Sequence, residues 1–387
     1  MSTPAQRPVV AIDYTAAVGH APGVGRYARE LVRALVRLPA SGIGGLRLVE
    51  VGRGPRPMEG APLGLEGSEV RLPTTRRRIR LPRRAFGLAA RMPGVARASV
   101  AGDAALLHRV HAHWPPAGDV PSTLAVTELP RRGAPGEGAF ASAVRSAAGV
   151  LVFSDDARDR VAARYDVPDA RLHRVPVGCD HWERDVDLDE VTARPTRDVL
   201  VLGAIRSSRA PLAALRGFEA LRERNVRARL LLVGRAGDAA DAFRVALAAS
   251  PARADVRWID DPREASMPGC VAGACVLLHL AEDEATPVTP LEAARFGLPV
   301  VASPLPAFRE ALGDELRTVD GDDPAALGAA LADALEASED ADVRARMKEL
   351  GLTMTWRGSA AAHVAAWEAT LGSPFGSPTP HSRRLDR

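Results

Sequence analysis

Glu284-Ala-Thr-Pro-Val-Thr-Pro-Leu-Glu292 sets two carboxylates eight positions apart. The apolar run Val276-Leu277-Leu278 leads into this stretch, and Pro299-Val-Val-Ala-Ser303 follows it. Short apolar runs bounded by turn residues read as buried strands. The unit is therefore strand, loop, helix, strand, with Glu284 on the loop and Glu292 in the first turn of the helix. In open parallel sheets, ligands bind in the crevice beyond the carboxyl ends of the strands. Both carboxylates are expected to face that crevice.

Each carboxylate also has a purely structural explanation. Thr289-Pro290-Leu291-Glu292 has the form of a capping box with Pro at the first helical position, which accounts for Glu292 without a ligand. Glu284 closes an acidic run, Glu282-Asp283-Glu284, that a solvated loop would tolerate.

The rhythm of strand and helix extends along most of the chain, which is the pattern of α/β doubly wound domains. Val9–Asp13, Leu46–Val51, Gly149–Phe153, Asp198–Gly203 and Ala228–Gly234 read as strands. Tyr27, Leu31, Ala34, Leu35 and Leu38 form a helical stripe, and Ser154 is a suitable N-cap for a helix over Asp155–Tyr165. The polar, acidic stretch 179–197 reads as a linker between two similar halves. The tail 372–387, rich in Pro, Ser and Gly, is expected to be disordered.

The run from Glu284 to Ser303 resembles the donor-site signature of retaining GT-B glycosyltransferases of family 4 (group 1): two Glu, a short helix, a Gly-x-Pro turn and an apolar strand. Three further segments resemble that family. They are Val10–Asp13 with Gly23-Val-Gly-Arg-Tyr27, Arg171–Asp180, and Trp356 at the start of the final helix. The resemblance implies two Rossmann-like domains facing a cleft, with a C-terminal helix that crosses back. The expected division is an acceptor domain over 1–178, a donor domain over 198–355 and the returning helix over 356–371.

The activity it implies is transfer of a hexose from a nucleotide diphosphate sugar to a hydroxyl acceptor (a glycan, a lipid-linked group or a small molecule), with retention. The nucleotide diphosphate sugar is the substrate, and no further cofactor and no metal are implied. Glu284 would lie beside the donor sugar and Glu292 would bind the ribose. Arg209 and Arg206, in the turn that opens at Gly203, would stabilise the diphosphate, whose departing phosphate takes the acceptor proton. Gly23, Gly25 and Arg26 would contact the diphosphate or the acceptor through a helix N-terminus.

Several positions depart from the family pattern. Ser208 stands where the family has an Arg and Arg209 where it has a Lys; Arg206 is an additional cation. Losing one charge-assisted phosphate contact, of the order of 2 kcal/mol, costs roughly 30-fold. Ala285-Thr286-Pro287 replaces Gly-Phe-Gly, leaving Thr286 and Val288 among the donor-binding positions, and Pro287 has no N–H to donate. Thr127-Glu128 replaces His-Asp in the first half. These changes keep open a catalytically lapsed protein that acts as a binding or scaffold partner.

Gly23-Val-Gly25-Arg-Tyr-Ala28 with Glu50 also fits a dinucleotide fingerprint, so a nicotinamide oxidoreductase stays open as well. Against it, Tyr14–Pro22 separates the glycines from the first strand.

Composition narrows the remaining classes. With 387 residues, 46% of them hydrophobic, the chain has material for two cores. Three cysteines suit a reducing compartment, and the absence of a long apolar run predicts a cytoplasmic protein. Lys348 is the single lysine, so arginine is the general basic residue here and any one arginine carries less meaning. A net charge of +3 and 4% aromatic residues give no support for nucleic-acid binding. The segment 71–97 holds nine arginines and no acid, with Leu81, Phe86 and Met92 interspersed, a pattern suited to peripheral contact with anionic lipid or a lipid-linked acceptor. His108-Arg-Val-His111-Ala-His113 is the one histidine cluster; it reads as polar or acceptor-facing residues rather than a metal site.

Overall fold

The computed structural model describes residues 7–18, 23–38, 42–51, 70–79, 100–112, 115, 119–182, 197–263 and 266–372. The chain divides into two compact units, Met1–Pro176 with Trp356–Arg387, and Val177–Thr355.

The first unit carries a seven-stranded sheet in which every pairing is parallel. Its strands are β1 (Val9–Asp13), β2 (Gly45–Val51), β3 (Thr74–Ile79), β4 (Leu106–Arg109), β5 (Ser122–Ala125), β6 (Gly149–Val152) and β7 (Leu172–Arg174). The order β3-β2-β1-β4-β5-β6-β7 places β1 and β4 side by side. The chain leaves β1 for one edge of the sheet and β4 for the other, so their carboxyl ends flank the topological switch point. The helices are α1 (Thr15–Val18), α2 (Val24–Arg37), α3 (Glu137–Ser146) and α4 (Asp155–Tyr165). Tyr27, Leu31 and Leu35, one turn apart, are buried on α2. Ser154 Oγ accepts the Ala157 N–H and starts α4.

The second unit repeats the plan with six parallel strands. They are β8 (Asp198–Leu202), β9 (Arg229–Val233), β10 (Val256–Ile259), β11 (Val276–His279), β12 (Val300–Ala302) and β13 (Leu316–Thr318), in the order β10-β9-β8-β11-β12-β13. Helices α5 (Pro211–Glu223), α6 (Ala240–Ala249), α7 (Met267–Ala272), α8 (Val288–Arg295), α9 (Pro306–Leu312), α10 (Pro324–Ala337) and α11 (Ala341–Leu352) flank it. Here β8 and β11 border the switch point. The turns after β8 and β9 touch so closely that a Cβ on Gly234 would lie 1.9 Å from the Gly203 carbonyl oxygen, which leaves no room for any other residue.

Helix α12 (Trp356–Leu371) belongs to the first unit. A buried chain of polar groups joins it to α2 and the sheet. Tyr27 Oη lies 2.7 Å from His363 Nε2 and 2.9 Å from His108 Nε2. His108 Nδ1 is 2.9 Å from Thr123 Oγ1, and His363 Nδ1 is 2.7 Å from the Ser359 carbonyl. A carbonyl only accepts, so His363 Nδ1 donates to it and the neutral ring accepts at Nε2 from Tyr27. Burial pushes the pKa of His363 down to about 4 and that of His108 well below its ordinary value. With both rings neutral, every donor and acceptor in the chain is used. Trp356, Phe153 and Trp367 pack around it.

Two expectations change on this scaffold. The start of the basic segment is an edge strand: Thr74–Ile79 pairs with β2, its Arg77 and Arg78 are exposed, and residues 80–97 lie outside the described residues. A strand of Thr-Thr-Arg-Arg-Arg-Ile carries one apolar residue in six because its side chains face water on an edge. The linker also begins later than 179. Cys179 and Trp182 are buried within the second unit, and the Cys179 N–H donates to the Met354 carbonyl at 3.0 Å. Residues 183–196 lie outside the described residues, as do His113 and 373–387.

Candidate functional site

The loops after β8 and β11 meet at the second switch point, where the Glu282 N–H donates to the Ser208 carbonyl at 3.0 Å. The β8 loop passes through a short turn, Ser207–Arg209, and then Ala210 in the left-handed region (φ 43°) before Pro211 opens α5. This path presents Arg209. Its Nη1 is 2.7 Å from Glu284 Oε2 and 2.6 Å from His279 Nε2, and the last two atoms are 2.9 Å apart.

The protonation of this triad follows from its surroundings. Burial pushes the His279 pKa down and outweighs the upward pull of Glu284, so the ring is neutral. Burial pushes the Glu284 carboxyl up, but His279 and Arg209 together outweigh it and hold the group below its ordinary range. A guanidinium only donates and a carboxylate only accepts, so Arg209 Nη1 donates to Glu284 Oε2, and His279 Nε2, within hydrogen-bond distance of both groups, accepts from the first or donates to the second according to its tautomer. The Nε and Nη2 donors of Arg209 have no protein partner among the described residues, and the side chain is 32% exposed. One nitrogen is thus anchored while the rest of the fork stays open to an anion.

The other predicted residues of this unit lie in different settings. Gly203 begins the β8 loop with a positive φ of 133°. Arg206 is exposed, and the next residue, Ser207, gives its N–H and Oγ–H to Asp238 at 3.0 and 2.6 Å. Thr286 is buried, and its carbonyl accepts the Val288 N–H at 2.9 Å at the entrance to α8.

The capping box does not form. The helix begins at Val288 with Pro287 as its N-cap, so Thr289 lies inside the helix and makes no capping bond. Glu292 is accordingly the fifth helical residue rather than part of the first turn. It is buried with its Oε1 3.2 Å from His181 Nε2. His181 in turn packs against Trp182, with ring centroids 4.7 Å apart and planes tilted by 56°.

Gly23, Gly25 and Arg26 lie at the start of α2 in the first unit. Gly23 caps the helix with φ 64° in open space, Gly25 is buried and Arg26 is half-buried. Helix α1 stands between β1 and these glycines, so the tight strand-to-helix turn of a dinucleotide site is absent. The acid that site would use, Glu50, is held by Arg76, whose Nε donates at 2.8 Å. The oxidoreductase reading is therefore withdrawn. Thr127 and Glu128 follow β5, half-buried and exposed respectively.

The structure brings together Arg209 and Glu284, and it adds His279, which the sequence reading passed over. Sequence reasoning also missed the pairs His181–Glu292 and Asp13–His111. A polar residue ending an apolar strand five positions before Glu284 was the available signal for His279. No comparable signal marks Asp13 and His111, which are 98 positions apart and meet at 3.0 Å.

Residues 196–337 match the family Glycosyl transferases group 1. Among curated proteins, none matches the chain by sequence. A sucrose-phosphate synthase from Thermosynechococcus elongatus has a similar structure, with a TM-score of 0.67 at 14% identity, covering 95% of this chain and 99% of that one. WaaG, a glycosyltransferase involved in lipopolysaccharide biosynthesis, superposes with a TM-score of 0.62 at 14% identity over 92% of this chain and 98% of its own. The E. coli protein described as trehalose-6-phosphate, bound with UDP-2-fluoro glucose, gives 0.65 at 11% identity over 94% and 99%. The fold is GT-B, two Rossmann-like units joined in one chain.

Proposed function

We propose that this protein is a glycosyltransferase that moves a hexose from a nucleotide diphosphate sugar to a hydroxyl acceptor. The observation that carries the proposal is the half-anchored guanidinium of Arg209. It sits in the turn after β8 within the segment matched to Glycosyl transferases group 1, and its Nε and Nη2 have no protein partner among the described residues. A guanidinium fork of this kind suits the paired oxygens of a diphosphate, and negative charge builds there as the glycosidic bond breaks.

Glu284, fixed by Arg209 and His279, is assigned to the donor sugar, and Glu292 to the ribose once its contact with His181 opens. Retention at the anomeric carbon, Arg206 as an outer cation for the diphosphate, and donor contacts from Gly203, Ser208, Thr286 and Val288 belong to the same proposal. Acceptor contacts from Gly23, Gly25, Arg26, Thr127 and Glu128 complete it. A lipid-linked acceptor approached through 71–97 would fit the exposed Arg77 and Arg78 of β3. No helix among the described residues is long and apolar enough to cross a membrane.

The test is release of nucleoside diphosphate from UDP-, GDP-, ADP- and TDP-hexoses with a panel of hydroxyl acceptors. Turnover with one donor is expected, falling roughly 30-fold or more in Arg209→Ala. A lapsed protein is the second reading, favoured by Asp238. Its carboxylate occupies the Ser207 N–H in the loop where a phosphate would be held, and the Ser207 hydrogen bonds hold its pKa below the ordinary range. That reading predicts no nucleotide binding, or nucleotide binding without turnover.

A further inference from the structure

The opposite end of the second sheet, at the amino ends of β8 and β9, carries a cavity of about 320 Å³ lined by Arg197, Arg222, Arg227, Ala228, Arg229 and Asp255. Strand β8 is five residues long. At about 3.3 Å per residue, a distance on the order of 15 Å separates this cavity from the loop that bears Arg209.

The path of the chain brings four guanidiniums to one place. Arg222 lies in the last turn of α5. Just past the helix, Asn225 takes the left-handed region (φ 60°) and the chain turns back into β9. Arg222 Nη1 donates to the Val226 carbonyl at 2.7 Å and pins that turn. Arg227 follows in the turn and Arg229 opens β9. The Arg229 N–H donates to the Arg197 carbonyl at 3.0 Å, which sets the start of β9 beside the start of β8.

Three of the four cations have an acid. Arg229 holds Asp198 through Nε at 2.6 Å and Nη2 at 2.9 Å. Arg222 Nη2 meets Asp255 at 2.9 Å, which neutralises the one carboxylate that lines the cavity, and Arg197 Nη1 meets Glu339 at 2.8 Å. Arg227 is exposed and has no acid among the described residues, so one positive charge is left over. Arg229 Nη1, Arg222 Nε, and Arg197 Nε and Nη2 also have no protein partner among the described residues.

Arginine is the general basic residue of this chain, so the convergence carries the meaning and not the residue type. Four like charges around one cavity repel one another. Ion pairing accounts for three of them and leaves Arg227 unexplained. The acids also fix the forks of Arg222 and Arg229, so less side-chain freedom is lost when an anion binds. Guanidinium groups bind the oxygens of a phosphate through paired, charge-assisted hydrogen bonds.

We propose that this cavity binds a small phosphate-class dianion, at a site separate from Arg209 and Glu284. The proposal stands on these four arginines and does not depend on glycosyl transfer. Bound there, the anion joins the last turn of α5 to the starts of β8 and β9 and stabilises the second unit.

The test is thermal unfolding of the full chain titrated with inorganic phosphate and, separately, with glycerol 3-phosphate, the ionic strength being held constant with sodium chloride. At least one probe should raise the Tm above the chloride control, and the tighter of the two identifies free phosphate or a phosphate ester as the ligand. The fitted Kd should weaken about tenfold or more in Arg227→Ala, and Arg227→Glu should abolish binding. Both substitutions leave the three ion pairs in place. Arg209→Ala should respond as the parent does. No shift beyond chloride, or an equal response in Arg227→Ala, overturns the proposal. A response lost in Arg209→Ala and kept in Arg227→Ala places the phosphate on Arg209 and overturns it as well, while leaving the diphosphate reading standing.

Discussion

His111 and His279 occupy matching places in the two units, each at or just past the end of the strand that neighbours the unit's first strand, yet their neighbours give them opposite roles. His279 is buried with a carboxylate and a guanidinium both on Nε2. His111 has a buried carboxylate on Nδ1 and no partner on Nε2 among the described residues. The first ring serves to hold other groups in place, and the second leaves its outer nitrogen open. Position in a Rossmann-like sheet selects where chemistry sits, and the second partner of the imidazole selects what that chemistry is.

The same contrast runs through the deeper histidines. The first unit buries His108 and His363 as neutral links with Tyr27, whereas the second sets His181 and His279 against Glu292 and Glu284. Acid should therefore strike the first unit hardest. The pKa of His363 is pushed down to about 4 in the folded state, against about 6.5 when unfolded. Between those values the unfolded chain binds more protons, so stability is full above pH 6.5 and is lost as the pH falls toward 4. The loss is about 3 kcal/mol from this residue, with His108 adding in the same direction. Urea unfolding at pH 7 and pH 4.5 measures it, and His363→Gln should flatten the slope. An equal slope in that variant would mean that the buried chain does not govern acid sensitivity.

Removing Glu284 tests the clamp. Glu284→Ala leaves His279 and part of Arg209 buried without their carboxylate, so a stability loss of about 2 kcal/mol is expected, reduced from the fully buried case because Arg209 is partly exposed. His279→Ala should lower kcat/KM for the donor by about tenfold through looser placement of Glu284 and Arg209. Unchanged donor kinetics in His279→Ala would reduce that histidine to a packing residue.

Glu292 separates two roles more finely. Glu292→Gln keeps the shape of the buried contact with His181, so a rise in donor KM of about fivefold to tenfold with an unchanged Tm supports ribose binding. A lower Tm with unchanged KM assigns the residue to the fold alone. Arg206→Ala should have the smallest effect, at most about threefold in donor KM, because the side chain is exposed and lies near the opposing charge of Asp238.

The α/β class was legible because the buried central strands are uninterrupted apolar runs such as Val9–Ile12 and Val276–Leu278. Several strands were not read from the sequence, β3 and β4 among them. β3 exposes three consecutive arginines on an edge, and β4 ends in His108 and Arg109, whose burial depends on partners in α2, α12 and α3. The start of α8 was misread because Thr289-Pro290 satisfies a local capping rule, while Pro287 begins the helix two residues earlier than that rule requires. Of the site, Arg209 and Glu284 were readable from motif position. The imidazoles that fix them, and the pair at Asp13, depend on strand adjacency and have no local spacing to reveal them.

The most direct measurement is a thermal-shift panel with UDP, GDP, ADP, TDP and NAD on the parent protein and on Arg209→Ala. At a hundredfold excess over Kd, a bound ligand adds about 2.7 kcal/mol of stability, a shift of several degrees. One nucleoside diphosphate should raise the parent Tm, NAD should not, and the shift should shrink strongly in Arg209→Ala. A shift with NAD, no shift with any diphosphate, or an equal shift in both proteins would contradict a diphosphate site built on Arg209.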